Sequence, residues 1–121
     1  MKRPTVLLLI LISFLFSCIQ NSHEQYPSGI LSKEKFTDLL KDCQLAESAI
    51  NIKKLKQPND NMYSRKLYKE VFKKHQITED QFNANIDYYK DKPKELLQIY
   101  SDVVDSLSKI QSTMSQYKIH P

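Results

Sequence analysis

Hydrophobic and polar positions divide the chain into two regimes. Val6 to Phe16 is almost wholly apolar and follows the cations Lys2 and Arg3. That block is shorter than the roughly 20 residues a spanning helix needs and matches the apolar core of an export signal. From Ile30 onward no such run recurs. Apolar residues return every three or four positions instead, the spacing of amphipathic helices.

Four helices are predicted. Ser32 can cap the first, with Leu31 and Phe36 as a hydrophobic staple across the cap. Its stripe is Phe36, Leu39, Leu40, Cys43, Ala46, Ala49 and Ile50, and it stops before the turn-forming Gln57-Pro58-Asn59-Asp60. The second runs from about Asp60 to His75 on Tyr63, Leu67, Tyr68, Val71 and Phe72, with Lys73, Lys74 and His75 at its carbonyl end, where positive charge is favoured. Thr78 and Gln81 form a capping box for the third, Ile77 and Phe82 a staple, and Glu79 and Asp80 add charge suited to a helix start. Phe82, Ile86 and Tyr89 mark its apolar face. Pro93 opens the fourth in a position where its missing N–H costs nothing. Its stripe is Leu96, Leu97, Tyr100, Val103, Val104, Leu107, Ile110 and Met114. No segment alternates as a strand would, and Gly29 is the only glycine. The expected class is all-α, a compact bundle of about four helices joined by short connections.

The apolar N-terminal block ends in Leu15-Phe16-Ser17-Cys18, which resembles the lipobox of bacterial lipoproteins. A small residue before the cysteine admits the peptidase, an aliphatic residue three places before it fills a pocket, and the thiol accepts a diacylglyceryl group. Phe16 is bulkier than is usual at its position. Cleavage is expected between Ser17 and Cys18, with lipid on Cys18 as the membrane anchor; two or three acyl chains hold stably where one is marginal. Residue 19 is Ile rather than the Asp that retains some lipoproteins at the inner membrane. No acidic surface-export cluster follows, so the expected location is the outer membrane, facing the periplasm.

Cleavage changes the charge balance. The precursor has 18 basic and 14 acidic residues, a net charge of +4. Loss of Lys2 and Arg3 lowers this to about +2, without the dense basic stripe that nucleic-acid binding demands. With Cys18 lipidated, Cys43 has no partner for an internal disulfide, and its place on the apolar stripe predicts a buried, inert thiol. The resulting organisation is a signal peptide over 1–17, a flexible tether over 18–29 containing the lipidated Cys18, a helical domain over 30–115 and a tail over 116–121.

From about Ile30 to Leu107 the chain resembles the family catalogued as domain of unknown function 4296. The resemblance rests on Asp42, Ala46 and Glu47 in the first helix, and on Tyr68 and Val71-Phe72-Lys73-Lys74-His75-Gln76-Ile77 leading to Phe82. Tyr88-Tyr89, Pro93, Leu96, Ile99-Tyr100, Val103 and Leu107 complete it. It implies a small helical lipoprotein of a Bacteroidota-type envelope. The family has no assigned activity, so the resemblance implies no functional residues.

Candidate chemistry is sparse. His23, His75 and His120 have no Cys or His at ligand spacing, so no metal or cofactor is expected. Asp38, Asp42 and Glu47 read as a solvated face near Lys35 and Lys41, and no catalytic residues are assigned. Seven tyrosines without a tryptophan make the aromatic side chains the more informative group. Tyr88 and Tyr89 point about 100° apart on a helix, so both cannot face one core. The pair is the candidate partner surface, with Tyr88 the more exposed member. The reading is a non-enzymatic lipoprotein that binds another envelope protein or component through a helical surface, of unspecified oligomeric state. The alternative is a small-ligand or lipid-binding module, which requires an apolar cavity between helices; an enzyme is the third possibility.

Overall fold

The structure, a computed structural model, describes residues 25–117. The expected signal segment, Cys18, the start of the expected tether and residues 118–121 lie outside the described residues. Four helices follow one another: α1 (Lys33–Lys56), α2 (Asn61–Lys74), α3 (Glu79–Lys90) and α4 (Pro93–Tyr117). No strand occurs among the described residues, and none of their helices is long and apolar enough to cross a membrane. The helical bundle expected from the spacing is the observed fold. α4 continues two residues past the expected boundary at 115.

Helix boundaries follow local chemistry. The Ser32 hydroxyl accepts from the Lys35 N–H (3.3 Å), and the Asp60 carboxylate from the Tyr63 N–H (3.0 Å). Thr78 and Gln81 close the capping box in both directions, at 2.9 and 3.2 Å. α2 ends in a Schellman-type turn: Ile77 N–H donates to the Phe72 carbonyl (3.0 Å) and Gln76 N–H to that of Lys73 (3.1 Å). Gln76 adopts φ 54° there, a conformation glycine would take at lower cost.

α1 packs against both α2 and α4, and α3 packs against α4. Phe36, Leu39, Leu40 and Cys43 of α1, Tyr89 of α3, and Ile99 and Val103 of α4 form the core. Ala46 and Ile50 extend the α1 stripe as expected, with Ala49 half-buried at its edge. Each large side chain fully removed from water contributes about 1.5–3 kcal/mol, so a core this small depends on those few residues. α2 buries none of its residues completely and lies against α1 through a half-buried face.

The α4 stripe is narrower than its sequence pattern. Ile99, absent from the expected stripe, is fully buried beside Val103, while Leu96, Leu107 and Ile110 are half-buried. Leu97 (72% exposed), Tyr100 and Val104 (61%) instead form an apolar ridge facing solvent, and Met114 lies exposed near the helix end. The apolar residues of α4 cover a wider arc than its neighbours can cover, so one edge stays open.

The last part of the expected tether belongs to the fold. Ile30 N–H bonds the Pro27 carbonyl (3.0 Å) in a turn whose third residue, Gly29, has φ 82°; conformation rather than space requires the glycine, since a Cβ there would meet nothing within 4 Å. Tyr26 packs against the core. Fully buried Asn85 then straps this segment to α3. Its Oδ1 accepts from the Leu31 N–H (2.7 Å), and its Nδ2 donates to the carbonyls of Gly29 (3.0 Å) and Gln81 (2.7 Å). The Tyr89 hydroxyl donates to the Leu31 carbonyl (2.6 Å). Asn85→Ala should lower stability in urea denaturation by about 2–3 kcal/mol and speed hydrogen exchange at the Leu31 amide. An unchanged midpoint with that amide still protected would show that the strap is held by other contacts.

Candidate functional site

Of the acidic residues Asp38, Asp42 and Glu47 on α1, two bind α2. Asp42, only 12% exposed, receives Lys74 Nζ and His75 Nε2 on the same oxygen, Oδ2, each at 2.7 Å. Burial pushes its carboxyl pKa up, but the hydrogen bonds from Lys74 and His75 outweigh that and hold it below the ordinary value. Glu47 accepts from the Tyr68 hydroxyl at 2.5 Å, which with burial pushes that phenol up to about 12. Asp38 is on a solvated face: it is 64% exposed and paired with Lys41 at 2.7 Å. Asp42 and Glu47 border the apolar stripe of α1, so they meet α2 rather than water. His75, which had no ligand-spaced neighbour in the sequence, is thereby an inter-helix partner. Among the described residues no three of His, Cys, Asp and Glu gather as a metal site would require.

Beside the Glu47–Tyr68 bond, α1, α2 and α3 leave an open groove of about 1020 Å³. Its floor is apolar: Leu40 and Cys43 from α1, Tyr68 and Phe72 from α2, Ile77 and Phe82 beyond it. Phe72 holds the floor together, its ring 6.3 Å from that of Tyr68 and 5.3 Å from that of Phe82. Arg65, Lys69 and Lys73 border it along α2, with Glu47 on the α1 margin and Glu79 on the α3 margin. Burial and the neighbouring Asp42 push the Cys43 thiol up to about 11, so it is protonated at neutral pH and serves as floor rather than nucleophile.

Of the expected Tyr88–Tyr89 surface, Tyr88 is the more exposed member and Tyr89 faces inward. Tyr89 is fully buried, stacked on Phe36 with ring centres 4.8 Å apart, and its hydroxyl is spent on Leu31. Tyr88 is half-buried, edge-on to Tyr89 at 5.0 Å and covered by Lys92 Nζ at 4.5 Å. Adjacent helical positions diverge, as expected, but the inward ring has no surface left to offer a partner. Sequence reading missed the groove, although its cationic border was visible as Arg65, Lys69 and Lys73 at four-residue spacing. Ser17 and Cys18 lie outside the described residues.

A pH dependence follows from Asp42. Its folded carboxyl titrates below the unfolded value of 3.8, so its stabilisation is complete above about pH 4 and is lost as pH falls through the folded value. Asp42→Asn should cost about 1–3 kcal/mol at neutral pH. The gap from the unmodified protein in urea titrations should close as pH falls below 4; a gap of constant size would mean the charge of Asp42 is irrelevant.

Comparison with curated proteins and with solved structures gives no match in either case. Residues 27–113 match the family described as Domain of unknown function (DUF4296), a span that begins at Pro27, within the strap, and takes in α1, α2, α3 and most of α4. On that match the chain belongs to the DUF4296 family.

Proposed function

We propose that this protein is a lipid-anchored, non-enzymatic binding module of the cell envelope, held by lipid on Cys18 at the outer membrane and presenting the α1–α2–α3 groove to another periplasmic protein. The groove carries the reading: an apolar floor assembled from three helices and bordered by exposed charge is the usual form of a helical docking surface. The chain between Cys18 and Tyr26 spans at most about 25–30 Å when extended, which would keep the groove close to the bilayer. The volume also favours a second reading, in which the groove holds a small apolar ligand or lipid, since such sites typically enclose about 300–1,000 Å³.

Photo-cross-linking in intact envelopes tests the docking surface. A photoreactive residue at Gln44, on the groove margin, should give a discrete protein adduct, and one at Gln111, on exposed α4, should not. Equal labelling from both sites would sink the docking reading; a lipid adduct from Gln44 alone would favour the second. Cys18→Ala should leave an unprocessed chain without lipid, and normal processing with membrane retention would refute the anchor.

A further inference from the structure

α2 carries five cations, of which Lys66 is exposed and does not line the groove. Lys74 closes on Asp42. Arg65, Lys69 and Lys73 are four residues apart, so they form one line along the helix, with steps of about 6 Å and a total length of about 12 Å. All three are exposed and border the groove. None makes an ion pair or a side-chain hydrogen bond among the described residues. Glu70, three residues before Lys73, makes no ion pair with it. Glu47 is engaged by Tyr68, and Glu79 lies in the first turn of α3.

Resting on the groove as a binding surface, we infer that its occupant is an amphipathic helix of a partner protein, with carboxylates at four-residue spacing along the flank that meets α2. The repeat of the ligand must match the repeat of the cations. A fatty acid or a single headgroup neutralises one cation and leaves the rest of the row unanswered, whereas a helix lying alongside α2 presents a carboxylate every turn. Its apolar face meets Phe72, Tyr68 and Phe82. Glu47 and Glu79 on the opposite margins disfavour a uniformly anionic ligand and select a helix acidic on one flank only. A flat bilayer is excluded by shape, because the floor is recessed: Leu40 and Cys43 are each only 8% exposed.

The test uses the full-length protein in neutral phosphatidylcholine nanodiscs and two labelled synthetic helices of about four turns. Both carry the same leucine face; one has glutamates along a flank at four-residue spacing, the other lysines. Fluorescence anisotropy should show the glutamate helix binding on the order of tenfold more tightly, with the advantage shrinking as salt is raised. The double variant Arg65→Glu with Lys69→Glu, shown to be folded by circular dichroism, should reverse the preference. Lys69→Gln, a milder change, should reduce it a few-fold. Equal binding of the two helices, or a preference that survives in the folded double variant, overturns the inference. So does a preference for phosphatidylglycerol over phosphatidylcholine vesicles that the double variant removes, without selectivity between the helices. If Gln44 still cross-links a protein while the helices bind alike, the docking surface stands and only the acidic-helix assignment fails.

Discussion

The joint between Tyr89, Phe36 and Leu31 is where three parts of the chain meet. Stacking of Tyr89 on Phe36 fixes α3 against the start of α1, and the Tyr89 hydroxyl accounts for the Leu31 carbonyl. One helical turn earlier, Asn85 accounts for the Leu31 N–H. Both backbone groups of the residue just before the α1 cap are thus satisfied by side chains of α3. Buried backbone groups left without partners would cost free energy comparable to the hydrogen bonds themselves. The direction in which α1 leaves its cap is therefore set by α3, and α1 in turn supports both α2 and α4.

From that constraint follows an asymmetry between the two flanks of α1. Toward α4 the contact is apolar and closed, with Ile99 and Val103 fully removed or nearly so from water. Toward α2 the apolar packing of Tyr68, Val71 and Phe72 is only partly buried, and polar bonds join the helices, Asp42 with Lys74 and His75 and Glu47 with Tyr68. Polar bonds fix a separation without demanding that the space between them be filled. Phe72 and Phe82 bridge α2 to α3 but do not close it, and the groove remains. An interface that excluded water along its whole length would leave no such surface.

The strap also changes the proportions of the molecule. Pro27 to Leu31, with Tyr26 packed beside them, form part of the domain, so part of the segment expected to be a tether is folded. In the proposed setting, a short tether limits how far the groove can turn or travel from the membrane, and favours partners that are themselves near the bilayer.

The sequence by itself determined the helices, because caps, proline and apolar spacing are local. Ser32, Thr78 with Gln81, and Pro93 mark boundaries within a few residues of themselves, and the Phe36 to Ile50 stripe names most of the core of α1. It also supported membership of the DUF4296 family, through elements spread along most of the domain. Tertiary structure decided which of two adjacent tyrosines faced inward and which edge of α4 was covered. It also turned Asp42 and Glu47 from surface charges into inter-helix partners. The role of Asn85 was hidden because its partners Gly29 and Leu31 lie more than fifty residues away along the chain. A periodic pattern tells which residues share a helix face; which neighbour that face meets, and how wide a strip the neighbour can cover, depends on packing between distant segments.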